Sequence, residues 1–337
     1  MKSKYFAPLR YLLLLSIGIA LLWFAFKGQN LAELLDKIFE ADPYWLILSL
    51  VLALLAFISR AVRWVLLMEP LGKRPKQMNA LYALLIGYFA NLGLPRAGEI
   101  TRCAVLSKSE NISFNSLIGT VIVERIIDLV MLLLTMTLVA FLEYDLLWGF
   151  LKNKILIPIG SKFTFISNPI FIIGVLLFIA VIFFIRRGSS KPSESKLKQK
   201  IVKIIHEIGN GFKTILRMKK TGWFVFHTFF IWTIYFLMTW VCFFCLEPTS
   251  HLDANAGIFV LVAGGLGMSA PVQGGIGAYH VIVSEGLQLF NISKLDGLAY
   301  ATLVHTSQTL LVVLLGCWAL IMVFINRNSK NDVGKVS

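Results

Sequence analysis

Three groups of residues in this chain carry chemistry where the surrounding sequence is apolar. Arg96, Glu99 and Arg102 recur every third position, so on a helix they share a face and keep one positive charge after pairing. Pro95 to Gly98, just ahead, would open a half-helix with unbonded N–H groups, and with the guanidiniums it would seat a phosphate. The competing reading is an ion-paired hairpin held shut. Glu124, Arg125 and Asp128 form the second group, inside the apolar run 114–142. A charge at the centre of a bilayer costs roughly 2.5–3.5 kcal/mol on the mildest scale, so each needs a partner or a purpose. Arg125 can pair with Asp128 at i+3, leaving Glu124 for another element such as Arg96 or Arg102. The third group is uncharged: Gln273, Gly274, Gly275 and Gly277, followed by Tyr279 and His280. Its glycines would let backbone N–H groups approach a ligand closely. In the second half of the chain His305 falls at the place of Glu124; a hydrogen-bonded packing histidine competes there with a proton relay.

Other candidates read more plainly. Arg60 and Arg63 lie at the cytoplasmic end of the second apolar run, where they are expected to snorkel to lipid headgroups. Of the four cysteines, Cys242 and Cys245 sit together inside an apolar run with no second pair, so neither a metal nor any other cofactor is expected.

These side chains must be held by elements suited to lipid. Of 337 residues, 57% are hydrophobic and 15% charged, and mean hydropathy is +0.77, which excludes a soluble enzyme. The net charge of +14 lies mostly between hydrophobic runs, so it marks loops and not a nucleic-acid site. Six runs are near the length of a membrane-spanning helix: residues 9–26, 44–68, 114–142, 169–186, 223–247 and 297–325. Asp42-Pro43 and Asn168-Pro169 are helix starts, and Ser293 to Asp296 can form a capping box. Lysine and arginine in alternate loops place both termini in the cytoplasm of a cell inner membrane protein.

Two further segments are apolar but broken. Asn91-Leu92-Gly93-Leu94-Pro95-Arg96-Ala97-Gly98-Glu99 interrupts residues 79–108, and Ser269-Ala270-Pro271-Val272-Gln273-Gly274-Gly275-Ile276-Gly277 interrupts residues 255–290. Halves of about 10–16 residues reach only about the middle of a 30 Å hydrocarbon core, so both segments are expected to be re-entrant hairpins. Residues 9–142 and 169–325 then repeat one order of parts: span, amphipathic segment, span, broken hairpin, long span. The amphipathic segments carry Leu31, Leu34, Leu35, Ile38 and Phe39 in one repeat and 197–215 in the other, the latter within a basic cytoplasmic linker, 187–222. Asn111-Ile112-Ser113 and Asn291-Ile292-Ser293 precede the two long spans, read as helix caps over glycosylation acceptors. Three crossings per repeat make the second inverted relative to the first. The expected fold is one all-α membrane domain over residues 1–337: two inverted repeats, about six spans and two hairpins. Broken helices meeting inside inverted repeats point to an alternating-access transporter; close helix packing is the alternative role for the breaks.

Pro95-Arg96-Ala97-Gly98-Glu99 with Arg102, Glu124-Arg125 with Asp128, and Pro271-Val272-Gln273-Gly274-Gly275-Ile276-Gly277 together resemble the three signature blocks of the lysylphosphatidylglycerol synthase transmembrane family, or flippase-like domain, over about residues 10–325. The resemblance implies movement of phospholipid or polyprenyl-linked lipid between leaflets. Where the family often has a glutamate after the second glycine-rich block, this chain has His280, which leaves the ligand or coupling ion there open. The chain ends soon after its last span, so the soluble aminoacyl-transferring domain and its enzyme activity are not expected. The expectation is a lipid transporter with Arg96 and Arg102 on phosphate and Glu99, Glu124 and Asp128 balancing them. A membrane-embedded transferase and a non-transporting assembly subunit are the alternatives; a homo-oligomer is left open.

Overall fold

Asp42 accepts a hydrogen bond from the Tyr44 N–H at 2.8 Å while Pro43 takes the first helical position, so a long apolar helix begins where its cap residues place it. Ser293 does the same for the last helix, accepting from the Asp296 N–H at 3.1 Å. This computed structural model describes residues 3–95, 97–146 and 218–336. The predicted span 169–186, the cap Asn168-Pro169, the segment 197–215 and most of the linker 187–222 therefore lie outside the described residues, as does Arg96. By its internal contacts the chain divides into Met1–Val139 with Gly211–Ser337, and Ala140–Asn210. The larger unit is the one that carries the site.

Among the described residues the chain is α-helical without strands. The helices are α1 (Ser3–Phe26), α2 (Leu31–Phe39), α3 (Pro43–Met68), α4 (Gln77–Gly93), α5 (Gly98–Glu110), α6 (Phe114–Leu142), α7 (Thr221–Val241), α8 (Ala254–Ser269), α9 (Ala278–Gln288) and α10 (Lys294–Val336). Four are long and apolar enough to cross a membrane: α3, α6, α7 with its following 3-10 turn, and α10. Taking Leu14–Phe26 with the helix bent 90° from it gives a fifth. The bend needs Gly28 at φ +77°, and Asn30 caps α2 by accepting from the Ala32 and Glu33 N–H groups. Lys37 of α2 then pairs with Asp296 of α10 at 2.9 Å.

Both broken segments fold back on themselves. In the first, Gly98 N–H donates to Asn91 Oδ1 at 2.7 Å, and a Cβ on Gly87 would meet Gly98 O at 2.8 Å and Arg102 Cβ at 3.1 Å. Glycine at 87 and 98 thus lets α4 and α5 touch backbone to backbone. In the second, Gly264 and Gly267 of α8 admit Tyr279 of α9. At about 1.5 Å per residue, α4, α5, α8 and α9 are each about 16–26 Å long, short of a 30 Å core. The hairpin exits match: Asn111 (φ +52°) and Asn291 (φ +63°) take the left-handed conformation, Ile112 and Ile292 are buried, and Ser113 and Ser293 start the long helices α6 and α10. The two interrupted segments also meet. A Cβ on Gly274 would lie 3.1 Å from Leu92 Cδ2, joining the break of the second hairpin to the end of α4.

Candidate functional site

α3, α5 and α6 bring six ionised side chains together. Glu124 on α6 is fully buried, and its Oε1 accepts from Arg60 Nη2 at 2.6 Å and Arg125 Nη2 at 3.3 Å, with Arg63 Nη2 at 3.6 Å. Its Oε2 lies 3.0 Å from Arg102 Nη2 of α5. One turn on, Asp128 Oδ1 accepts from Arg63 Nη2 at 2.7 Å and Oδ2 from Arg60 Nη2 at 3.4 Å. α7 closes the ring of partners: Arg60 Nη1 donates to Tyr235 Oη at 2.8 Å and Arg63 Nη1 to Thr228 Oγ1 at 3.5 Å. Aromatic faces cover the cations, Trp64 under Arg102 at 4.7 Å, Tyr88 under Arg60 and Phe224 under Arg63.

The expected link from Glu124 to Arg102 is present, and Arg125 contributes from 44% exposure. The expected Arg125–Asp128 pair is stretched to 3.9 Å, because Arg63 occupies Asp128 more closely. Arg60 and Arg63 need correction. They are 8% and 0% exposed and belong to the network, so they do not snorkel to headgroups. An α-helix places them one turn apart on the face that meets α6, and Glu124 and Asp128 answer them at i and i+4. Sequence reasoning missed Tyr88, Thr228 and Tyr235. The last two are seven residues apart in a strongly apolar helix, a spacing that puts both on one face.

Four guanidiniums face two carboxylates here, leaving two positive charges. Buried ion pairs are tolerable only when the remaining donors and acceptors are satisfied. Arg102 is the member least satisfied: it is 3% exposed, and its Nε, Nη1 and Nη2 make no aligned hydrogen bond despite the short approach to Glu124. Tyr88 Oη and Glu99 Oε2 are buried without hydrogen-bond partners as well. The Gly98 N–H predicted to be free is taken by Asn91, so the half-helix start offers one amide fewer than expected.

The second hairpin builds a neutral counterpart. His305 Nε2 is 2.8 Å from Gly274 O, and its ring lies 4.9 Å from that of His280 and 5.3 Å from that of Tyr279. Gln273 and His280 are buried. Gly275 and Gly277 were expected to expose backbone to a ligand; here they serve packing. A Cβ on Gly277 would collide with Gly18, Leu21 and Leu22 of α1, and one on Gly275 with Met268. Among the described residues no group of three or more His, Cys, Asp or Glu is placed to hold a metal ion.

A bundle of apolar helices with two interrupted hairpins and an ion network buried between them defines a polytopic membrane protein. The chain belongs to the family described as the lysylphosphatidylglycerol synthase TM region, which it matches over residues 11–316. It is 25% identical to the UPF0104 membrane protein MJ1595 of Methanocaldococcus jannaschii, covering 96% of this chain and 97% of that one. It is 24% identical to the UPF0104 membrane protein PH1989 of Pyrococcus horikoshii, covering 85% and 88%. No solved structure matches the chain.

Proposed function

We propose that this protein moves anionic lipid headgroups, of phospholipid or polyprenyl-linked lipid, between the leaflets of a cell inner membrane. The observation that carries the reading is the unbalanced charge. The three guanidiniums held away from water, Arg60, Arg63 and Arg102, outnumber the two carboxylates they face and call for an anion, and Arg102 keeps buried donors without aligned partners. The two breaks in contact, Leu92 against Gly274, supply the second support, since broken helices that meet inside a bundle can yield to a polar cargo without unfolding a complete span. In this reading both termini are cytoplasmic, the repeats are inverted, the first hairpin enters from the cytoplasm and the second from outside.

Reconstitution tests it. Vesicles holding the protein and tail-labelled fluorescent phosphatidic acid should expose inner-leaflet label to an impermeant quencher faster than protein-free vesicles. Arg102→Met should return the rate toward the lipid-only value while the protein elutes as the same species. A wild-type rate equal to the protein-free rate, with and without imposed ion gradients, overturns the proposal.

A further inference from the structure

His280 of α9 is 5% exposed, and its Nδ1 is buried without a hydrogen-bond partner. A buried ring nitrogen left bare costs about 1–3 kcal/mol, so packing alone does not account for a histidine here. The group that acts on it electrostatically is His305 of α10, whose ring centre is 4.9 Å away. The protonation of His305 is fixed by its partner. Gly274 O can only accept, so His305 Nε2, 2.8 Å from it, carries a hydrogen, and Nδ1 is the basic nitrogen of the neutral ring. The elements packed around the pair add no counter-charge. α8 contains no titratable side chain, and α1 contains none from Leu12 to Phe26, the residue whose ring lies 6.1 Å from that of His280. Lys27, just past α1, lies over Trp23. On α9 and α10, Glu285 pairs with Lys294 and Asp296 with Lys37, Tyr300 donates its hydroxyl to Thr239 O, and the Tyr279 ring lies 5.3 Å from His305. Cys242, in the turn after α7, is a buried free thiol.

We infer that His280 and His305 form one proton-binding site, through which a proton difference across the membrane drives the second hairpin. The inference rests on the transport reading and supplies its energy coupling. Two imidazolium rings this close repel each other, so the pair takes one proton and not two. Protonated His305 keeps its bond to Gly274 O and has the Tyr279 ring beside its charge. Protonated His280 has no acceptor at Nδ1 and faces Phe26, where Gly277 packs so closely that a Cβ would collide with Gly18, Leu21 and Leu22 of α1. A charge in that position is relieved when the hairpin moves off α1 and water reaches the ring. The same balance runs in reverse: the closed hairpin rejects the proton, and the opened one binds it near the ordinary histidine pKa of about 6.5. With the second hairpin entering from outside, an acidic exterior favours the opened state.

Ring-nitrogen NMR of the full chain in nanodiscs, labelled in its five histidines, reads the site without any variant. Between about pH 8 and pH 5 the Nε2–H form of His305 should give way to a state in which both rings share one proton and shift together. Two independent titrations, or no change at either ring, overturn the site. The coupling is read in vesicles carrying tail-labelled phosphatidic acid and an internal pH dye. An inward gradient of about one pH unit should speed lipid movement severalfold, with a limit of about tenfold, and protons should enter with the lipid. In His280→Phe the ratio of rates with and without the gradient should fall to one. His280→Asn, which keeps a polar atom near the place of Nδ1, should do the same and serves if the phenylalanine variant does not fold. Because each ratio is taken within one preparation, partial misfolding does not mimic the result. A wild-type ratio of one while lipid moves overturns the coupling and leaves transport standing. If no lipid moves, the transport reading and the coupling fail together, and the NMR titration decides whether the pair binds a proton.

Discussion

Glu124 on α6 and His305 on α10 hold comparable places in the two halves of the chain, yet they solve burial in opposite ways. Glu124 sits among four arginines drawn from three helices, and the group remains positive. His305 is satisfied by one backbone carbonyl, that of Gly274, with His280 and Tyr279 rings around it. The charged half can attract a ligand because its charges do not cancel. The neutral half is built to hold the second hairpin in shape, for the same His305 that needs a partner provides one to the exposed backbone of a break. In the transport reading proposed above, the first would supply electrostatic attraction and the second a backbone that can yield.

The comparison breaks most easily at Glu124. Replacing it with leucine strands buried guanidiniums, and losing one partner of a buried pair costs about 3–5 kcal/mol. The expected outcome is loss of a monodisperse peak in detergent and a large fall in Tm. Combining Glu124→Leu with Arg60→Met should recover part of the loss, a non-additivity of about 0.5–3 kcal/mol between residues in contact. Next is Gly98→Ala, which forces the new methyl against Gly87 O and the Asn91 side chain. Overpacking of this kind costs about 1–3 kcal/mol, and thermal unfolding followed by tryptophan fluorescence should register it. On the neutral side, His305→Leu leaves Gly274 O without its partner, at about 1–3 kcal/mol for a buried unsatisfied group. Proteolysis at the second hairpin should quicken in that variant before global unfolding does. The smallest effect is at Lys37→Met, which removes a partly exposed pair with Asp296 and should change stability by less than about 1 kcal/mol. A larger loss there would mean that α2 anchors α10 more firmly than a surface ion pair can.

Much of the frame was legible beforehand. Asp42-Pro43, the paired Asn-Ile-Ser exits and both interrupted segments sit where the sequence places them, since caps and breaks act within a few residues of backbone. The amphipathic segment from Leu31 to Phe39 is a helix for the same reason. The site was legible in parts. Glu124 and Arg102 were paired correctly across helices, whereas Arg60 and Arg63 were sent to the lipid surface, because helical spacing fixes which face a residue shares but not what packs against that face. The glycines at 275 and 277 misled similarly. A positive φ with no Cβ serves a ligand or a neighbouring helix equally well, and only the positions of α1 against Gly277 and of Met268 against Gly275 distinguish them.

What the sequence by itself determined is therefore the local and the compositional: helices in lipid, their starts and breaks, and the presence of ionised groups too costly to leave unpaired. Tertiary structure alone decided the partners, drawing Arg60 and Arg63 inward onto Glu124 and Asp128 and setting Tyr235 against Arg60. The reason is range. Backbone hydrogen bonds and caps are closed within a turn of chain, but a buried charge is neutralised by whatever the packing brings within about 4 Å, however far away in sequence it lies.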